Sequence, residues 1–390
     1  MSSNRQQLAA LFVWRLTIGI VGGGSLPLIP AYAAQLGMQA DLIGYYLAFG
    51  FSAIAVGTFV TGWLSDHFQR RKSFLIAASL VIVMATGLLG WVGHLGQLVL
   101  ITAIWFFAGG IGFSIVAILT GLLAGEAERG RVFGALEVSG AVGSVIAGVL
   151  LGPIADQWGY RTMFTVLAVL ACLLPLSGLV FKEEPTVPFT RAKPQTSSPA
   201  QGLKGIVVIL LVSRVLAAVA GFVAQFGTPL TMNALGLSAT AISLTGAVGG
   251  AVSLPLPLVT GWLSDRLGRK VLLIGMLFIG TLALVFLAGS VLEWHFWAVT
   301  SLAYIFQITG RGVGSAYMAD MVAPESLGRG LSFYGGMEWI GGIIGYSATG
   351  YAIQNFGSST TFFVGAALPL IAIGLLIPIR TTQVRTANAS

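Results

Sequence analysis

Five ionisable residues interrupt otherwise apolar runs of this chain: Arg15, Glu137, Arg214, Arg311 and Glu338. An ionised side chain at membrane depth is costly, so each is a functional candidate unless a neighbour neutralises it. At about 1.5 Å per residue, Arg15 lies roughly 10 Å into its run and Glu137 roughly 9 Å. Arg214 and Glu338 repeat this arrangement somewhat deeper. The expectation is one Arg–Glu pair in each half, lining or bracing the cytoplasmic half of a central cavity. Snorkelling to the headgroups is the plain alternative for these four. Arg311 sits between Gly310 and Gly312 near the middle of its run, and nothing charged occupies the matching point of the fourth run. It is therefore expected to be unpaired, and it is the first choice for contact with a substrate or coupling ion. Three arginines against two glutamates leave one positive charge in excess, which leans toward a ligand with an anionic group.

A second constellation is written twice. GWLSDHFQRRK occupies residues 62–72 and GWLSDRLGRK residues 261–270. Gly62 and Gly261 end a helix without a side chain, which permits close approach by a neighbour. Asp66 stands four residues before Arg70, and Asp265 four before Arg269. This order, acid before base, is the one helical pairing prefers. Either aspartate can also face the positive end of a nearby helix. For any single Lys or Arg, a basic loop that merely sets orientation explains enough. The whole G-x-x-x-D-x-x-x-R pattern, present at two corresponding places, reads instead as an electrostatic latch on a cytoplasmic gate.

These residues need elements to carry them. The 390 residues are 56% hydrophobic and 8% charged, against roughly 25% charged in soluble domains. Lipid is the solvent this composition suits, and the 53 glycines fit membrane helices, where small residues let backbones approach. About 20 apolar residues cross the roughly 30 Å hydrocarbon layer. Twelve such runs recur, at about 8–30, 42–63, 73–92, 97–123, 132–153, 162–181, 205–230, 240–262, 271–291, 296–319, 331–353 and 361–379. All are read as helices, because an open strand edge cannot survive in lipid.

Basic residues decide the orientation. Arg5, Arg70, Arg71, Lys72, Arg129, Arg131, Lys182, Arg191, Lys193, Lys204, Arg266, Arg269, Lys270, Arg329, Arg380 and Arg385 share one face, while the other offers only Arg161. Both termini are expected in the cytoplasm. The AYA at 31–33 resembles a signal-peptide cleavage site, but the run before it is too long and carries Arg15, so it reads as a retained span.

Residues 182–204 hold four prolines and clustered charge and read as a cytoplasmic linker. They separate a six-helix bundle at 1–181 from another at 205–390. The halves keep register: Arg15, Pro30 and Gly37 match Arg214, Pro229 and Gly236 at an offset of 199, and Arg131, Gly152, Gly159 and Phe164 match Arg329, Gly350, Gly357 and Phe362 at 198. Such duplication is the mark of repeat-built transporters.

Twelve spans, a central linker and GWLSDRLGRK after the second helix of a half resemble the major facilitator superfamily, across essentially the entire chain. In the first copy of the loop phrase His67 replaces the usual basic residue and Gln69 the glycine. LPLIPAYAAQLG in the first span and YMADMVAPESLGRG after the tenth resemble its drug:proton antiporter branch. The resemblance implies an all-α integral membrane fold and alternating access, with two bundles rocking about a midplane site. Two departures stand out: Trp105 occupies the place of that branch's span-four arginine, and GVLLGP at 148–153 keeps Gly148 and Gly152 but displaces the proline of its fifth-helix motif.

No H-E-x-x-H, G-x-S-x-G or Walker A string occurs, and Cys172 is the sole cysteine, so an enzyme or an ATP-driven pump lacks its machinery. The reading is a secondary transporter of the cell membrane without cofactor or nucleic-acid partner, acting as a monomer on a small-molecule substrate. Proton-coupled efflux of amphipathic organic compounds leads, and exchange or uptake of a small organic anion follows. Gln225, Asn233, Tyr304, Gln307, Tyr334, Trp105 and Trp339 are polar or aromatic candidates for cavity contacts, with ordinary packing the plainer reading of each.

Overall fold

The computed structural model describes residues 2–68, 70–124, 129–181, 201–322 and 327–379. The linker's residues 182–200 lie outside that set, and of Gly62, Asp66 and Asp265 only the helical backbone belongs to it. The described residues form helices and turns, with no strand among them. The helices are α1 (Ser2–Ile18), α2 (Leu28–Gln35), α3 (Ala40–Phe68), α4 (Arg71–Leu89), α5 (Leu95–Leu123), α6 (Arg129–Ala171) and α7 (Leu173–Leu179). After the linker follow α8 (Gln201–Ala234), α9 (Ala239–Ser253), α10 (Leu256–Leu267), α11 (Arg269–Ala288), α12 (Glu293–Met321), α13 (Leu327–Phe356) and α14 (Ser358–Leu376). A π-helical turn, Gly19–Gly23, joins α1 towards α2, so the first span is wide-wound at its glycines.

Among the described residues, eight helical stretches, nine with the bent pair α9 and α10, are long and apolar enough to cross a membrane. One of them, Arg131–Leu179, runs 49 residues and breaks at Gly159, whose φ of 79° is non-helical; it supplies two spans. The helices α12 and α13 have 29 and 30 residues, ample for the ~30 Å hydrocarbon layer, and carry the charges that lower their hydropathy. Twelve spans result. Large apolar side chains such as Phe59, Val169 and Leu258 cover the outside, as a lipid-facing surface requires. Inside, Trp14, Phe164, Phe226 and Phe362 are fully buried. Serine and threonine hydroxyls mostly donate to their own helix, as Thr17 does to the Val13 carbonyl at 2.8 Å, so they cost little in lipid.

The duplication is visible in backbone conformation. Gly37 and Gly236 have φ of 88° and 72°, and Gly159 and Gly357 have 79° and 81°. A side chain in that left-handed region costs roughly 1–2 kcal/mol, which is why both copies keep glycine at these tight interhelical turns.

The basic phrase recurs for a reason the sequence did not disclose. Lys72 Nζ donates to the Leu179 carbonyl at 2.9 Å, while Lys270 Nζ donates to Ile377 at 2.8 Å and Ile379 at 2.6 Å. In each half the lysine opening the third span thus caps the carbonyl end of the sixth, where unsatisfied acceptors and the helix dipole favour a cation. Lys270→Met is expected to lower stability by about 1–2 kcal/mol through loss of these charge-assisted bonds. A thermal melt in detergent checks this, and Lys270→Arg should recover most of the loss.

Compactness groups the described helices into two units. The first comprises Met1–Phe189 with Met232–Leu254, the second Thr190–Thr231 with Pro255–Ser390. Within the first, α9 lies along α6. The Ser243 hydroxyl donates to the Gly148 carbonyl at 2.8 Å, and added Cβ atoms at Gly148 and Gly152 would stand 2.3 Å from the Ala247 nitrogen and 2.4 Å from Thr240 Cα. Missing side chains bring these two backbones together, the usual basis of helix association in lipid.

Candidate functional site

In the first unit Arg15 on α1 meets Glu137 on α6, with Nη2 to Oε2 at 2.7 Å. Arg15 also lies 5.2 Å from the centre of the Phe113 ring, a cation–π distance. Phe113 stands edge-on to the buried Trp14. Glu137 remains 67% exposed, so this neutral pair opens to solvent on its acidic side.

The second unit is built differently. Glu338 on α13 spreads its two oxygens over two arginines: Oε2 accepts from Arg214 Nη2 on α8 at 2.9 Å, and Oε1 from Arg311 Nη2 on α12 at 2.5 Å. The arginines differ sharply in environment. Arg214 is 5% exposed and Arg311 55%. Burial without pairing would be prohibitive for Arg214, whereas Arg311 is exposed.

Neighbours hold this triad in place. The Tyr334 hydroxyl donates to the Gly310 carbonyl at 3.0 Å, and its ring lies 5.4 Å from the Arg214 guanidinium. Gly314 makes the fit possible, since a Cβ there would fall 1.6 Å from the Tyr334 oxygen. Gln307 Nε2 donates to the Gly221 carbonyl at 3.3 Å. Ser213, Arg214, Gln307, Gly310 and Tyr334 line a small cavity together with Met276 and Leu277. The Ser213 hydroxyl and Arg214 Nε are buried with no hydrogen-bond partner among the described residues.

Three sequence expectations change, the first being that Gly261 ends a helix against a close neighbour: α10 continues to Leu267, and a Cβ at Gly261 would meet nothing within 4 Å. Arg311 is not alone, because α12 and α13 bring it against Glu338, 27 residues on. The arrangement is a triad in the second half and a pair in the first. The single continuous helix that the Asp–Arg spacing of the repeated phrase assumed also gives way, while the side chains of Asp66 and Asp265 lie outside the described residues. Gly268, with φ 84°, separates α10 from α11, so Asp265 and Arg269 do not share a helical ladder. Arg269 instead pairs with Asp320 and donates to the Ala316 carbonyl, both near the end of α12. Arg70 likewise lies between α3 and α4, with non-helical φ and ψ.

Among the aromatic candidates, Trp105 is buried and donates to the Thr86 hydroxyl at 3.1 Å, a packing role. Sequence reading passed over Asp156. At the end of the helices opposite the basic loops, its carboxylate accepts from the Ala239 and Thr240 backbone N–H groups at 2.9 and 2.8 Å and from the Thr240 hydroxyl at 2.5 Å. It caps the start of α9 from a helix 83 residues away, where free N–H groups and the dipole welcome an anion. The only local signal was the Ser238–Thr240 start, whose own cap is Ser238 onto Ala241 N.

Comparison with known proteins agrees with this architecture. The multidrug resistance protein MdtG of Proteus mirabilis is 21% identical over 360 residues, covering 88% of each chain. The MdtG of Dickeya zeae is 25% identical over 371 residues, covering 89% of this chain and 87% of the relative. Among solved structures, a variant of the nucleoside transporter NupG superposes with a TM-score of 0.78 at 14% identity, covering 95% of this chain and 99% of that one. A variant of the peptide transporter POT gives 0.77 at 13%, covering 97% and 95%. The sequence profile of the Major Facilitator Superfamily matches residues 11–312 and 210–390. Twelve spans, conformational repeats in both halves and a profile match along nearly the whole length lead to one conclusion: the chain belongs to the Major Facilitator Superfamily.

Proposed function

We propose that this chain exports small amphipathic organic compounds across the cell membrane by alternating access, in exchange for protons. The observation that carries the reading is the intramembrane triad Arg214–Glu338–Arg311. A structural ion pair has no need of a second, exposed arginine, whereas a carrier needs a charged group that can change partner. The names of the MdtG relatives support efflux. Arg311, Arg214 and Glu338, with Arg15 and Glu137, serve substrate or coupling contact. Gly62, Asp66 and Arg70, with Gly261, Asp265 and Arg269, serve the cytoplasmic gate, and the Arg269–Asp320 pair is the contact that breaks when it opens. The working unit is a monomer of two six-helix lobes, 1–181 and 205–390, with both termini in the cytoplasm.

Everted membrane vesicles test this with a panel of amphipathic fluorescent dyes of either charge. An acid-inside gradient should drive dye accumulation above that of vesicles lacking the chain. A one-for-one exchange with protons supports about tenfold accumulation per pH unit, since each factor of ten corresponds to ~1.4 kcal/mol. A protonophore should abolish it. Absence of gradient-dependent accumulation for every dye would count against proton-coupled export.

A further inference from the structure

We infer that Glu338 is a resident stand-in for an anionic group on the substrate: it occupies Arg311 in the empty carrier, and an organic monoanion takes its place there while Glu338 closes on Arg214 alone. This rests on the transport reading and names its substrate class.

Three independent features converge on it. The first is the division of labour within the triad. Each Glu338 oxygen serves a different arginine, so contact with Arg311 can be lost without loss of contact with Arg214. Arg311 is the exposed partner, and it keeps guanidinium donors for a ligand. The planar fork of arginine suits carboxylate and sulfonate groups, which it grips with two parallel bonds.

The second is an orphaned donor. Arg214 offers Glu338 only Nη2, while Nε on the same edge of the guanidinium is buried and without a partner among the described residues. A buried donor left unmade is expensive. When Arg311 is surrendered, a small rotation lets Glu338 engage Nε and Nη2 of Arg214 together. The bond lost at Arg311 is then replaced at Arg214, and the exchange costs little.

The third is access and charge. Added Cβ atoms at Gly310 and Gly312, beside Arg311, and at Gly335, three residues before Glu338, would meet nothing within 4 Å. The flank of α12 and α13 that bears the exchange is open. The empty triad carries one net positive charge, and a bound monoanion neutralises it. In the first unit Phe113 stands 198 residues before Arg311, and the Arg15–Glu137 pair is already neutral, so no equivalent anion site arises there.

The test uses the full chain purified into vesicles of phosphatidylcholine and phosphatidylglycerol. Three probes share one ring system and differ in charge: naphthalene-1-sulfonate, naphthalene-1-sulfonamide and trimethyl(1-naphthyl)ammonium. Binding is measured by calorimetry and carriage by counterflow. The sulfonate should bind in preference to the other two. Arg311→Gln should weaken it by at least about tenfold, as expected when a charge-assisted pair is lost, and Arg311→Lys by less. Glu338→Gln retains an acceptor for Arg214 but no longer competes as an anion, so it should tighten sulfonate binding by about tenfold. A merely structural Glu338 predicts weaker binding instead. Each variant is checked by gel filtration; if Arg311→Gln does not fold, Arg311→Lys and Glu338→Gln still decide. Sulfonate binding that is absent, indifferent to Arg311 or not tightened by Glu338→Gln overturns the inference. Sulfonate that binds as stated but is not carried leaves the site standing and removes the transport reading. Carriage of the amide or the cation, with no sulfonate binding, does the reverse.

Discussion

Glu338→Ala lowers the stability of the solubilised protein by about 3–5 kcal/mol, the usual cost of stripping one partner from a buried ion pair, and reduces transport to background. Two effects add. Arg214, 5% exposed, is left with an uncompensated and largely buried guanidinium. Arg311, formerly bridged to it through the same carboxylate, becomes a nearby like charge. The cause can be isolated, because Arg311 is exposed and can be solvated by itself. The double variant Glu338→Ala with Arg214→Met removes the buried charge and should recover most of the lost stability, though not transport. Chemical denaturation followed by tryptophan fluorescence supplies the free energies. A single-variant loss under about 1 kcal/mol, the range of an exposed surface pair, would mean that Arg214 is hydrated, and the account of the triad would fail.

Gly148→Val carries the second large effect. A Cβ at this position meets the backbone nitrogen of Ala247 at 2.3 Å, so no side-chain rotation relieves the clash and α6 must part from α9. Overpacking of this kind costs typically 1–3 kcal/mol. Separation also strains the hydrogen bonds from Ser243 to Gly148 and from the first turn of α9 to Asp156. Transport should fall at least as steeply as stability, because the two helices would no longer seat against each other. Gly275→Val, at a position where a Cβ would meet nothing within 4 Å, serves as the comparison and should shift stability by no more than about 0.5 kcal/mol. Equal melting temperatures for the two variants would show that close approach at Gly148 contributes nothing.

Much of the membrane architecture was legible in the sequence. Spans follow from a one-dimensional property, the length of an apolar run set against the thickness of hydrocarbon. Duplication follows from register alone, and the paired glycines at Gly37 and Gly236, and at Gly159 and Gly357, proved to share left-handed backbone as well as spacing. Equal depth sufficed to suggest that Arg15 would meet Glu137 and Arg214 would meet Glu338, and both pairs are present.

Partner choice was another matter, since it depends on helix rotation and tilt. An α-helix turns about 100° per residue, so depth says which residues share a level but not which face each other. Only the packed structure put Arg311 on the second oxygen of Glu338. It likewise sent Arg269 to Asp320 across a break at Gly268 and aimed Asp156 at the first turn of α9. The lysines of the repeated phrase show the same limit: their charge announced an orientation, but their carbonyl partners lie 107 residues away. Hydrophobicity along the chain determines where helices cross the bilayer; which polar atoms meet is decided by how those helices pack, because each contact joins residues that no local pattern connects.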